Sequence, residues 1–213
     1  MESQTDHLYH VLLTVIDYHK EPSGKQPSTY VINTCGSLNR AKNSSYRILP
    51  MLRYKVEDFA EFALHSGPRG SHKHGDRVLV YAKALSGRVF VVSILVTPNK
   101  LQLRMGCDGR IVLPSGTSSL QYVIQTTVDY SKHRAGTEQE TQIEGIFVHR
   151  EEALAAAQNI LNPLDFADFR TPERLDGKWP HGEEVVSYAV SDKGLNIFVI
   201  LTTTSDLERI YQS

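Results

Sequence analysis

The sequence predicts an α+β fold: a tandem duplication of a β-β-α-β-β unit, forming pseudo-two-fold antiparallel sheets with helices packed on one face. Two matches along the chain predict it. HGDRVLVYAKALSGRVFVV (74–92) recurs without a gap as HGEEVVSYAVSDKGLNIFV (181–199), an offset of 107, from 74 to 181. His74/His181, Gly75/Gly182, Tyr81/Tyr188 and Gly87/Gly194 are identical pairs, and the same offset carries DFAEF (58–62) onto DFADF (165–169). Upstream, an offset of 112, from 13 to 125, places LTVIDY (13–18) on QTTVDY (125–130), and Ala41, Ile48 and Leu49 on Ala153, Ile160 and Leu161. One short deletion reconciles the two offsets. Matches that keep their order in this way mark an internal repeat.

Each copy decodes in parallel. YHVLLTVIDY and QYVIQTTVDY are rich in β-branched and aromatic residues and open each unit as a strand. A polar loop follows, then a second strand, TYVINTC in one copy and QIEGIFV in the other. In REEALAAAQNIL the apolar positions 153, 154, 157, 160 and 161 make the stripe of an amphipathic helix. SLNRAKNSSYRIL repeats that spacing more weakly, with Ser37 as its N-cap, and a proline follows each helix at 50 and 163. The DFAEF segment reads as a short helix or turn. A hairpin closes the unit, with Gly87 and Gly194 at turns that need positive φ. The repeats span 8–96 and 120–213. Between them, 97–119 holds an extra hairpin (KLQLRM–GCDG–RIVL) and a linker, and Ser205 and Glu208 stand in capping-box spacing for a short C-terminal helix.

Bulk composition narrows the classes. With 213 residues, 40% hydrophobic and 22% charged, the chain has the make-up of a globular protein. A net charge of −1 gives no global field toward nucleic acid or anionic membrane. Apolar runs such as VFVVSILV are strand-sized, shorter than a bilayer span. The polar N-terminus, MESQTDHLYH, lacks the pattern of a secretory signal, and two cysteines build no disulfide framework, so a cytoplasmic or nuclear setting with reduced thiols is expected.

GIFVHREEALAAA (145–157), set behind a strand that ends in Tyr and a variable polar loop, resembles small domains of uncharacterised proteins from filamentous fungi. The first copy departs at the matching place, with NTCGSLNRAKNSS. The resemblance implies no activity and assigns no functional residue.

Candidate chemistry is sparse. HSGPRGSHKHGDR (65–77) gathers three histidines and two arginines among glycines. Arg69 with backbone amides offers an anion site, and His72 with His74 a metal site, but no carboxylate or cysteine stands at zinc-site spacing. A solvated loop is the plainer reading, and neither metal nor cofactor is expected. The paired His-Gly-acid triplets at 74 and 181 hold the material of a general base, yet a glycine between them favours a turn. Asp17 and Asp129 end the first strand of each copy; carboxylates meeting at a two-fold axis would shift each other's pKa, whereas Asp before a turn is ordinary. Cys35 precedes a helix start, where a thiol is acidified, but its counterpart Phe147 marks an apolar position. Tyr81 and Tyr188 have apolar neighbours and are expected to be partly buried, each hydroxyl partnered.

No nucleophile elbow, phosphate loop or dinucleotide fingerprint occurs. The expected function is a non-catalytic binding or interaction protein, using the groove between the halves or its asymmetric loops. The alternative is a small cofactor-independent enzyme of isomerase or cyclase type, of fungal metabolism, with an apolar pocket. The expected partner is a small molecule or a protein; the charge counts against nucleic acid. Positions that break the copy-to-copy match are freer to acquire binding roles, which directs attention to Arg69, His72 and His74 in the first break and to Arg104 and Arg110 beside the second.

Overall fold

The structure, a computed structural model, describes residues 3–17, 28–65, 74, 77–130, 139–174, 179–204 and 210. They divide into two compact units, the first reaching Gly116 and regaining the chain at Thr204, the second covering Thr117–Thr203.

The first unit contains β1 (Ser3–Gln4), β2 (His7–Ile16), β3 (Ser28–Cys35), α1 (Leu38–Ser45), α2 (Ile48–Met51), β4 (Phe59–Leu64), β5 (Val78–Ala84), β6 (Val89–Pro98), β7 (Arg104–Met105) and β8 (Ile111–Val112). The second contains β9 (Gln121–Val128), β10 (Gln139–Phe147), α3 (Arg150–Gln158), β11 (Asp168–Arg170), β12 (Val185–Val190) and β13 (Asn196–Thr203). Each unit builds a five-stranded sheet, in the order β3-β2-β6-β5-β4 and β10-β9-β13-β12-β11, and every pairing is antiparallel. The α+β class and the antiparallel sheets are as the sequence predicts.

The two sheets agree in detail. The β2–β3 register skips Ile32, and the β9–β10 register skips Glu144, the residue aligned with it in sequence. Leu79 bulges in β5, and Val186, aligned with it, bulges in β12. A bulge twists a strand at one chosen residue, so agreement at two such places is a finer likeness than strand order. Thr14 and Thr29 hydroxyls lie 3.2 Å apart across the first pair, as do Thr126 and Thr141 across the second. The hairpin turns place Gly87 at φ 89° and Gly194 at φ 77°, the left-handed region where a Cβ is costly.

The segment expected to be a helix or turn is a strand instead. Val56–Asp58 and Pro163–Asp165 form single 3₁₀ turns, and DFAEF and DFADF continue from them into β4 and β11 at a sheet edge. The unit is therefore β-β-α-β-β-β. The local sequence is neutral between periods, and pairing decides it: Phe62 lies opposite Ala82, and Phe59, Phe62, Phe90 and Tyr54 form one aromatic cluster at centroid distances of 4.9–6.1 Å.

The first unit's helix also differs from expectation, breaking after Ser45, whose hydroxyl donates to the Ala41 carbonyl, and resuming as α2. Pro50 lies inside α2 rather than beyond the helix; in a first turn its missing N–H has no carbonyl to serve. Ser37 caps α1 as predicted, its Oγ accepting from the Arg40 amide at 3.3 Å. Both helices bury small residues against their own sheet: Ala41 at 0% exposure above Val11, Leu13 and Val92, and Ala153 at 0% above Val123 and Val199.

The inserted hairpin forms as predicted, Arg104 opposite Val112 and Met105 opposite Ile111, and β1 joins it to make a three-stranded sheet. Of the expected C-terminal helix only Ile210 falls within the described residues; it is helical and buried in the core of the first unit. No helix among the described residues is long and apolar enough to cross a membrane.

Candidate functional site

Along α1 the first unit carries a cleft of about 600 Å³. Asn33 from β3, Arg40, Asn43 and Ser44 from α1, Tyr46, Arg47 and Met51 from the next turn, and Arg110 from the inserted hairpin line it. Three arginines line one space. No carboxylate lines it among the described residues.

Local chemistry explains how each arginine arrives. Ser37 fixes where α1 begins, and the helical spacing then puts Arg40, Asn43 and Ser44 on the side away from buried Ala41 and Ser45. Arg40 is half-buried, and its Nε is sealed from solvent without a hydrogen-bond acceptor. Such a donor costs about 1–3 kcal/mol while it goes unpaired. Arg47, beyond the helix break, is exposed. Asn33 Nδ2 lies 3.4 Å from Ser44 Oγ, and the Tyr46 hydroxyl donates to the His65 carbonyl at 3.0 Å.

Arg110 reaches the cleft because the hairpin is pinned against α1. Cys35 bridges Arg110, and the Gly36 amide donates to the Gly109 carbonyl at 3.0 Å. The approach leaves no room for side chains. A Cβ on Gly109, which has φ 81°, would stand 2.8 Å from Ser37 Oγ and 2.9 Å from Arg40 Cβ. Arg110 Nε also lies 3.2 Å from the exposed carboxylate of Asp108.

A shallower lobe of about 290 Å³ adjoins this cleft and shares Arg40 and Asn43 with it. Ser37, Asn39, Met105, Cys107, Asp108 and Gly109 complete its lining.

Of the residues singled out from sequence that fall within the described residues, Arg110 alone lines the cleft. Arg104 is exposed on β7. Arg69 and His72 lie outside the described residues. His74 stacks on Tyr81, with centroids 3.6 Å apart and planes 5° from parallel, and its Nε2 lies 3.4 Å from Glu61 of β4. His181 stacks on Tyr188 at 4.3 Å and 23°, close enough to Asp168 to feel its charge. Among the described residues, the carboxylate that accompanies each histidine comes from an edge strand, Glu61 of β4 and Asp168 of β11. Glu61 and Asp168 align in sequence at the same offset as the two histidines, so the second pairing repeats the first.

Burial lowers the pKa of His181, the Arg170 guanidinium adds to that, and Asp168 opposes it. Its Nε2 is buried without a partner. Both tyrosines are half-buried, and the Tyr188 hydroxyl donates to Asn196 Oδ1. Asp17 holds Arg88, with Oδ2 2.8 Å from Nη2 and 3.0 Å from Nε, while Asp129 follows β9 in the second unit. Cys35 is fully buried, and burial pushes its thiol up to about 11, so it packs rather than reacts. No group of three or more potential metal ligands occurs among the described residues.

No family model, curated protein or solved structure matches the chain.

Proposed function

We propose that the chain is a non-catalytic binding protein whose ligand is a small anionic molecule held in the arginine-lined cleft of the first unit. The observation that carries the proposal is that Arg40, Arg47 and Arg110 line one space that no described carboxylate lines. Guanidinium forks suit phosphate and carboxylate oxygens, and hydrogen bonds between charged groups are roughly twice as strong as neutral ones. The main lobe offers charge, amides and hydroxyls, but no imidazole, thiol or carboxylate among the described residues. That lining favours holding a ligand over moving a proton on it.

The same proposal makes the two units copies of one ancestral β-β-α-β-β-β module, of which the first was recruited for binding. The matched bulges, threonine pairs and histidine–tyrosine stacks support it. At the positions matching Asn33, Arg40, Asn43, Ser44 and Arg47 the second copy has Gly145, Glu152, Ala155, Ala156 and Asn159, which hold no anion.

Calorimetric titration with inorganic phosphate and with pyrophosphate tests the reading. Each of Arg40→Ala, Arg47→Ala and Arg110→Ala is expected to weaken binding about tenfold or more, the worth of one charge-assisted contact. Absence of phosphate and pyrophosphate binding, or indifference to all three substitutions, rules the reading out.

A further inference from the structure

Resting on that reading, we infer that the ligand is a sugar phosphate: its phosphate sits among Arg40, Arg47 and Arg110, and its hydroxyls enter the adjoining lobe. The two lobes share Arg40 and Asn43, so a molecule anchored at Arg40 continues directly from one into the other. Their chemistry differs. The main lobe is cationic; the second adds the Asp108 carboxylate and the Asn39 amide. A second anionic group there meets the charge of Asp108, whereas hydroxyl groups find acceptors in Asp108 and both kinds of partner in Asn39 and Asn43.

The second lobe also has an apolar side. Met105 and Cys107 line it alongside those polar groups. A sugar ring presents hydroxyls at its edge and C–H bonds on its face, which matches a lobe that offers both polar and apolar lining. A flat aromatic ligand covering the lobe would leave the Asn39 amide unmatched at a cost. Gly109, whose φ of 81° and tight fit against Ser37 and Arg40 hold the hairpin over α1, keeps Asp108 and Arg110 on either side of one turn. One short segment therefore supplies a ligand group to each lobe.

The test is a calorimetric panel on the full chain: inorganic phosphate, unphosphorylated ribose, and two sugar phosphates (ribose 5-phosphate and glucose 6-phosphate). At least one sugar phosphate is expected to bind about ten times more tightly than inorganic phosphate, the worth of one or two added hydrogen bonds. Asn39→Leu is expected to erase most of that advantage, so that the sugar phosphate then binds about as tightly as inorganic phosphate. Cys107 gives a separate readout: it is exposed within the second lobe, while Cys35 is buried. The tight-binding sugar phosphate should slow Cys107 alkylation by iodoacetamide, and inorganic phosphate should not. If every sugar phosphate binds only as well as inorganic phosphate and leaves Cys107 equally reactive, the sugar assignment fails and the anion site stands. If inorganic phosphate does not bind at all and no sugar phosphate does, both fail.

Discussion

Helices α1 and α3 occupy the same place on sheets of the same strand order, yet they are written in opposite styles. Each buries two small residues on its inner side, Ala41 with Ser45 and Ala153 with Ala157. Outward, α3 is acidic and alanine-rich, with Glu151 and Glu152 in its first turn, where negative charge meets the positive end of the helix dipole. No acidic residue stands in the first turn of α1, which carries Asn39, Arg40, Lys42 and Asn43 and relies on the Ser37 cap. The inner face is dictated by packing and has little latitude. The outer face is under no such demand, and a difference there is chemistry rather than folding.

Exchanging those outer faces is the most severe way to break the comparison. A variant carrying the second unit's residues in and after α1 (Arg40→Glu, Asn43→Ala, Ser44→Ala, Arg47→Asn) is expected to lose phosphate affinity more than about a hundredfold, since two charge-assisted contacts go and a repulsive charge arrives. Its melting temperature should shift little, because the fully buried Ala41 and Ser45 are untouched. The reciprocal Glu152→Arg, Asn159→Arg variant should gain no affinity, for the inserted hairpin that supplies the third arginine belongs to the first unit.

Acid separates the units by another route. His10 is fully buried between Thr34 Oγ1 and Thr97 Oγ1, each 2.8 Å from a ring nitrogen, and burial lowers its pKa to about 4. The matching residue in the second unit is Tyr122. Between pH 6.5 and 4 the unfolded chain binds a proton that folded His10 refuses, so stability is full above about pH 6.5 and is lost as pH falls toward 4. The loss is roughly 3 kcal/mol, since each pH unit across that window costs about 1.36 kcal/mol. His181 contributes in the same direction within the second unit. Amide exchange should show β2 and β3 losing protection on acidification, and His10→Gln should abolish most of that pH dependence.

Gly109 and Gly116 share a left-handed backbone, at φ 81° and 80°, but only Gly109 is crowded. Alanine at either costs the strain of that conformation, about 1 kcal/mol. Gly109→Ala should cost more than Gly116→Ala in a denaturant melt, and it alone should weaken phosphate binding. The smallest expected effect is Tyr188→Phe, about 1 kcal/mol for the hydroxyl given to Asn196. Tyr188→Ala should cost more, since His181 then loses the ring it stacks on.

Most of the fold could be read from the chain because the internal sequence match offered two versions of each element, and one clear version sufficed. The alanine-rich helix located its weak partner, and the paired glycines located both hairpins. Where both versions were ambiguous the reading failed: DFAEF and DFADF have no decisive period, and only pairing with β5 and β12 makes them strands. The site was half readable. Departure between the matched segments points to Arg110, which lines the cleft. A second departure runs along a helix, where Arg40, Asn43 and Arg47 stand against Glu152, Ala155 and Asn159. What one sequence could not supply was that the hairpin folds back over that helix, a contact that depends on Gly36 and Gly109, neither with room for a side chain.

The return of the chain after β13 has a consequence for synthesis. Thr204 bridges Val31, and Ile210 is buried at 5% exposure in the core of the first unit. A ribosome releases the first unit's sheet long before it makes either residue. The nascent first unit therefore waits, its core open at one place, until the second has been translated. The second has every strand of its own sheet by Thr203. Removing the segment from Thr204 onward should accordingly injure the earlier-made unit and spare the one made after it.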